Sequence, residues 1–273
     1  MKILIKGLSF FAKHGVFAEE KKSGQNFFVD LELTLNEIGT DSLSETADYG
    51  EVARRVKEFA ENGSLDLIES VADGIAKTVL TEFRAVRAVK VTVHKPEAPM
   101  PVEVEDAAAV QERQWTTVYF GLGSNLGDRE AYLDGAVRGL RERGFRVTAV
   151  SSYRNTEPYG VPDQPDFLNA CVRAETFLTP MECLAVIRAL EAEAGRVKTR
   201  RWGERTLDAD LLLYGNETVC TEELTVPHGD LHNRAFVLEP LCEIAPYAVH
   251  PILKKTVKML WEDLQSGDAH CIV

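Results

Sequence analysis

The stretch RWGERTLDADLLLYG, residues 201–215, runs from a cationic segment into an apolar strand pattern and sets two aspartates two positions apart. Side chains at i and i+2 of a strand point to one face, so a strand over 206–214 would stand Asp208 and Asp210 side by side. Neighbouring carboxylates raise each other's pKa unless a cation lies between them. The stretch therefore predicts either a divalent metal site or a carboxylate pair salt-bridged to Arg201 and Arg205.

Upstream, Arg196, Lys198, Arg200, Arg201 and Arg205 place five cations in ten positions. Such a run is commonly a solvated face, but here it leads directly into the aspartates, which points to phosphate binding. The preceding helix has a complete start signal, with Thr179 as N-cap, Pro180 in the first turn and Glu182 closing a capping box. It ends at Gly195. Further back lie strands at 145–154 and 167–177, a helix from Asp128 to Arg143, and the strand TVYFGLGS, residues 117–124. GLGSNLG, residues 121–127, has the spacing GxGxxxG and no acidic residue closing a second strand about 20 residues on. It predicts a tight strand-to-helix turn rather than a dinucleotide site. HGDLH places His228 and His232 four apart without the glutamate of HExxH, which favours an imidazole near phosphate over zinc.

The first part of the chain has a different pattern. A strand over Lys2–Ser9 precedes FFVDLELTL, where Val29, Leu31, Leu33 and Leu35 alternate with Asp30, Glu32 and Thr34. Helices over Tyr49–Ala60 and Leu67–Phe83 follow, then the β-rich AVRAVKVTVHK, stopped by Pro96, Pro99 and Pro101, and a weak strand in EVEDAAAVQE, residues 103–112. The order ββααββ indicates an α+β layer with helices on one sheet face. The polar QERQWTT separates the two patterns, giving domains over 1–113 and 117–273.

The length of 273 residues suits two domains, and 45% apolar with 27% charged residues describes an ordinary globular chain. A net charge of −12 argues against nucleic acid as a partner. The five cysteines are scattered and never in CxxC spacing, as expected for a reducing cytoplasm. No run approaches the ~18 apolar residues of a membrane span, and MKILIKGLSF lacks a signal-peptide core.

The blocks DQPDFLNACV, GRVKTRRWGERTLDADLLLYG and LTVPHGDLHNRAFVLEPLCEIAP together closely resemble hydroxymethyl-dihydropterin pyrophosphokinase through nearly all of 117–250. The resemblance implies a ferredoxin-like α+β domain that transfers the β,γ-diphosphate of ATP to the hydroxymethyl group of a reduced pterin, releasing AMP. It assigns Asp208 and Asp210 to two Mg²⁺ ions on the ATP phosphates, and Glu191, Arg196, Arg205, His228 and Arg234 to ATP. Arg196 and Arg205 would also act in catalysis. Phe167, where the family often has tyrosine, and Phe236 would sandwich the pterin, with Thr156 and Asn169 at its polar edge. Diphosphate transfer needs positioning and neutralisation of spreading charge, and no strong protein nucleophile.

FFAKHGVFAEEKKSGQNFFVDLELTL, TADYGEV, LDLIESVA and VTVHKPEAPMP, in that order, resemble dihydroneopterin aldolase over about residues 1–111. This resemblance implies a tunnelling-fold-like domain, homo-oligomers formed through it, and cleavage of dihydroneopterin to glycolaldehyde and the kinase's own substrate. Glu69 would anchor the pterin's guanidine-like edge, Lys95 and Tyr49 would handle protons, and Glu20 would shape the site, with Tyr49 supplied across a subunit boundary. A retro-aldol needs a base and an electron sink. A protonated pterin C=N is that sink, so no cofactor is expected in this half. The alternatives are a pyrophosphokinase with a catalytically silent N-terminal scaffold, or a nucleotide-binding regulator without turnover.

Overall fold

The computed structural model describes residues 1–36, 40, 42–158, 163–196 and 203–267. Lys198, Arg200, Arg201 and Cys271 lie outside the described residues. The chain divides into two compact units, Met1–Trp115 and Thr116–Val273.

The first unit runs β1 (Lys2–Ala12), α1 (Ala18–Ser23), β2 (Gln25–Leu35), α2 (Tyr49–Glu61), α3 (Ile68–Glu82), β3 (Val86–His94) and β4 (Ala108–Gln114). Its strands form an antiparallel sheet in the order β1-β2-β3-β4. The alternation in β2 is realised: Val29, Leu31, Leu33 and Leu35 are buried, while Asp30, Glu32 and Thr34 keep partial exposure. Against this sheet α2 packs Val52, Val56 and Ala60, and α3 packs Val71, Ala72, Ile75, Ala76, Val79 and Leu80. Asp48 caps α2 by accepting from the Gly50 and Glu51 amides. The six-residue α1 has no counterpart in the sequence pattern. The weak strand expected over 103–112 lies at Ala108–Gln114, because the prolines hold residues before 107 out of the ladder.

The second unit runs β5 (Thr116–Ser124), α4 (Arg129–Glu142), β6 (Arg146–Val150), β7 (Arg154–Thr156), β8 (Phe167–Thr176), α5 (Pro180–Glu193), β9 (Asp208–Tyr214), the short β10 (Val219–Cys220) and β11 (Thr225–Val226), α6 (Ala235–Ile244) and α7 (Val257–Ser266). The sheet is antiparallel in the order β6-β8-β5-β9, with β7 also pairing β8. The single strand expected over 145–154 is two strands. At Ser151 the side-chain oxygen, not the backbone, accepts the Cys171 amide at 2.9 Å, and the ladder resumes only at Arg154. Residues of β9 enter two cores, alternating up to a register shift that puts both Leu212 and Leu213 in the second. Ala209 and Leu211 bury with α4 and α5, whereas Leu212 joins Cys171, Leu238 and Leu241 beside α6 and α7. The sheet is thus covered on both faces, and the aspartates occupy the α6 side. Among the described residues no helix is long and apolar enough to cross a membrane.

Candidate active sites

Asp208 and Asp210 open β9 opposite Gly123 and Gly121 of β5, and Gly123 pairs on its other side with Asn169 of β8. A Cβ on Gly123 would come within 2.8 Å of the Asn169 Oδ1, so only glycine leaves that amide its place. These first two glycines of GLGSNLG lie inside the strand, and only Gly127, at φ 62°, serves the turn expected there.

A cleft of about 290 Å³ lies on this face, lined by Thr156, Phe167, Asn169, Arg196, Arg205, Asp208, Asp210, His228, Arg234 and Phe236 together with Glu157 and Gln164. Glu157 belongs to TEPYGVPDQ, residues 156–164, a loop expected to shape the pocket, whereas Gln164 was not singled out from the sequence. Asn169 Nδ2 donates to Thr156 Oγ1 at 2.8 Å. The Arg205 guanidinium lies 5.8 Å from the Phe167 ring centroid, and that of Arg234 lies 5.8 Å from Phe236. The two aromatic rings and the two arginines therefore share the cleft, each ring with its own cation.

The aspartates are compensated unequally. Asp208 Oδ1 takes both Arg196 Nη1 and Arg205 Nη1 at 2.9 Å. Asp210 Oδ2 has His228 Nε2 and Arg234 Nη1 only at 4.0 Å. Burial in the cleft, and then the Asp208 charge, hold the Asp210 carboxyl above the ordinary carboxylate range. Behind them Glu191 meets the Arg196 guanidinium and accepts the Ala209 amide at 3.0 Å, so the end of α5 is fastened to the start of β9. Burial is also the largest cause raising the Glu191 carboxyl. Of the two arginines predicted beside the aspartates, Arg205 is there. Arg196 takes a second place at Asp208, from twelve positions upstream. An adjoining cavity of about 470 Å³ shares Asp210 and His228 and is walled by Leu184, Ile187, Leu211 and Leu224.

The first unit has a second buried charge centre. Lys95 Nζ donates to Glu20 Oε1 at 2.5 Å, with both side chains about one-tenth exposed. Gln25 Nε2 donates to the same oxygen at 3.0 Å, and the Phe17 amide donates to Oε2 at 3.0 Å. The short α1 exists to present Glu20 here. A Cβ on Gly15 would sit 2.2 Å from its carboxylate, which explains glycine in that tight approach. Lys95 Nζ also lies 5.9 Å from the Phe27 ring centroid. His14, fully buried, accepts the Leu65 amide on Nδ1 and donates from Nε2 to the Ala60 carbonyl, fixing its tautomer. Burial keeps this imidazole's pKa low. With Lys21–Asp66 and Gly15 N–H to the Leu65 carbonyl, it laces residues 13–21 to the segment entering α3, where Glu69 is the second residue. Tyr49 and Glu69 are exposed, and among the described residues neither side chain makes a hydrogen bond or ion pair. One chain thus joins Glu20 to Lys95 and leaves Tyr49 and Glu69 facing solvent.

Residues 119–246 match the family model described as 7,8-dihydro-6-hydroxymethylpterin-pyrophosphokinase, and residues 3–112 match that of dihydroneopterin aldolase. The 2-amino-4-hydroxy-6-hydroxymethyldihydropteridine pyrophosphokinase of Haemophilus influenzae is 46% identical over 136 residues, covering 50% of this chain and 85% of that protein. The chain belongs to the hydroxymethyldihydropterin pyrophosphokinase family. Its first half is a dihydroneopterin aldolase domain, so the pyrophosphokinase carries the lyase of the same folate route on one polypeptide. The folic acid synthesis protein fol1 of Pneumocystis carinii is 28% identical over 286 residues, covering 98% of this chain and 38% of that protein. Among solved structures, the Vibrio cholerae putative dihydroneopterin aldolase (FolB) is 28% identical and covers 42% of this chain and 97% of that one, at TM-score 0.39.

The Glu20–Lys95 pair makes a pH-dependent contribution to the aldolase unit. Burial alone would raise the Glu20 carboxyl, but Lys95, the Phe17 amide and Gln25 outweigh it and hold the pKa below its ordinary 4.5. A depressed carboxylate stabilises the fold above the unfolded value and loses that contribution as pH falls through the folded one. Glu20→Gln should therefore destabilise the aldolase unit at pH 7 by about 3–5 kcal/mol, the range for breaking one side of a buried pair. Denaturant melts followed down through pH 4.5 should show the gap closing. A gap independent of pH would contradict this account.

Proposed function

We propose that the cleft on the second unit binds the reduced pterin between Phe167 and Phe236 and the triphosphate of ATP against Arg196, Arg205, His228 and Arg234. The observation that carries this reading is the convergence, in one cleft, of two aromatic faces, three arginines and two adjacent carboxylates. The adjoining cavity, with Leu184, Ile187 and Leu224 as apolar lining and Glu223, Thr225 and Asp230 as polar lining, suits the adenosine end of the nucleotide. Asp208 and Asp210 fit Mg²⁺. This ion keeps water in its shell and binds through one or two carboxylates plus substrate phosphates, not an all-protein cage. The uneven compensation and raised pKa of Asp210 mark a place that gains from added positive charge. When bound with ATP, Mg²⁺ would supply neutralisation of the phosphate charge. The hydroxymethyl oxygen attacks the β-phosphorus, the bond to the α-phosphate oxygen breaks, and AMP leaves. Arg196 and Arg205 hold the spreading charge, and Thr156 with Asn169 orients the pterin edge.

For the first unit we infer that Lys95, held by Glu20, transfers protons at the pterin ring and side chain. The side-chain hydroxyl gives up its proton, the carbon–carbon bond breaks with its electron pair passing to the protonated ring C=N, and glycolaldehyde departs. A proton returned to the exocyclic carbon, with loss of the ring N–H proton, restores the C=N and yields 6-hydroxymethyl-dihydropterin. Glu69 would bind the ring's amidine edge. Tyr49 would come from a second copy, which accounts for its exposure and for the large apolar side chains exposed on either side of the charge pair, namely Val16, Phe17, Met100 and Val102. The free thiols of Cys171, Cys183, Cys220 and Cys242 suit a reducing cytoplasm.

Two experiments test this. Asp208→Asn should cut AMP formation by about 10³-fold or more while glycolaldehyde release persists. Lys95→Ala should slow glycolaldehyde release by about 10²–10⁴-fold while AMP formation from supplied 6-hydroxymethyl-dihydropterin continues. Near-normal turnover by either variant in its own half would remove that assignment. Separately, inactive Tyr49→Phe and Lys95→Ala chains, dissociated and reassociated together, should regain part of the lyase activity. No recovery would rule out a pocket shared between copies.

A further inference from the structure

We propose that Asn125 is a positioning residue for diphosphate transfer, setting the spacing between the Phe167 ring and the Arg205 guanidinium. Asn125 follows β5 and is only 2% exposed. Its Oδ1 accepts the Arg205 amide at 2.8 Å, and its own backbone amide donates to the Arg205 carbonyl at 3.1 Å. Its Nδ2 donates to Gln164 Oε1 at 3.2 Å and to the Pro165 carbonyl at 3.1 Å. The side-chain orientation is fixed by chemistry. The Arg205 amide can only donate and the Pro165 carbonyl can only accept, so oxygen faces one and nitrogen the other. One acceptor and two donors on so short a stem is a set that asparagine alone offers at this reach.

The consequence is a brace across three segments that are remote in sequence. One end holds Arg205, whose guanidinium reaches Asp208 and the Phe167 ring. The other end holds Gln164 and Pro165, two residues before Phe167. The charge that meets phosphate and the ring that meets pterin are thereby held at a common spacing by one amide. Near-attack geometry is sensitive to displacements of about 1 Å, so a residue that touches neither substrate can still control the chemical step. Arg205 also meets the triphosphate, but Arg196, His228 and Arg234 are carried by other segments, so nucleotide binding should weaken less than pterin binding does.

This inference rests on the assignment of the cleft to pterin and diphosphate. The full chain is compared as wild type, Asn125→Ser, Gln164→Met and the double variant, well below the melting temperature, with each variant's thermal melt as the control for folding. The readouts are kcat for AMP release, the Kd of a non-hydrolysable ATP analogue with Mg²⁺, and the Kd of 6-hydroxymethyl-dihydropterin in that analogue's presence. Asn125→Ser should weaken pterin binding and lower kcat, each by about tenfold, with the analogue's Kd rising by no more than about threefold. Gln164→Met should cause a smaller loss of the same kind, and the double variant should lose less than the two single losses combined, since the Asn125–Gln164 bond is common to both. A lowered melting temperature with unaltered pterin Kd and kcat would overturn the proposal, as would equal weakening of nucleotide and pterin. Should Asn125→Ser fail to fold, wild-type constants for Gln164→Met would overturn it. Normal AMP formation by Asp208→Asn would instead refute the assignment of the cleft itself.

Discussion

Two carboxylates held on one strand face, with the described cations close to only one of them, set the terms for the second half of the molecule. Asp208 is neutralised by Arg196 and Arg205, while Asp210 keeps its nearest cations at 4.0 Å. Holding that imbalance needs a rigid frame. Ala209 and Leu211 anchor β9 in one core and Leu212 in the other, and Glu191 fastens α5 to the strand. The glycines at 121 and 123 leave the neighbouring strand bare of side chains, so the charged face lies at the floor of a cleft. In the reading proposed above, a polyanionic substrate with divalent cations would complete the charge balance.

The first half solves the opposite problem. Its charge centre, Glu20 with Lys95, is already paired, buried and further bonded to Gln25 and a backbone amide. Tyr49 and Glu69, at the starts of α2 and α3, stand in solvent and take no part in it within one chain. The cleft proposed for diphosphate transfer is assembled from a single unit, whereas the centre proposed for the lyase would draw Tyr49 from a second copy. Assembly should therefore matter to one activity and not to the other.

Much of the architecture was legible in local pattern. The alternation of β2 is the burial pattern observed, and the capping box of α5 forms with both its bonds, Glu182 N–H to Thr179 Oγ1 and Thr179 N–H to Glu182 Oε2. The paired aspartates could be placed on one face because strand period alone dictates it. What escaped were features set by contacts distant in sequence. The six-residue α1 is specified by Glu20 reaching Lys95, 75 positions away. The break between β6 and β7 depends on Ser151 meeting Cys171. The first glycines of GLGSNLG look like a turn until β8 and β9 flank them, and Asn125 gives no sign of its brace until Arg205 and Pro165 arrive from opposite sides. Periodicity reports which face a residue occupies, not which residue will meet it there.

The central claim, that one chain carries out cleavage and then diphosphate transfer, is tested most directly by supplying the full chain with dihydroneopterin and Mg-ATP alone. Glycolaldehyde and AMP should both accumulate and approach equal amounts, with AMP lagging until the intermediate builds up. Glycolaldehyde without AMP, or AMP only when 6-hydroxymethyl-dihydropterin is added from outside, would contradict it.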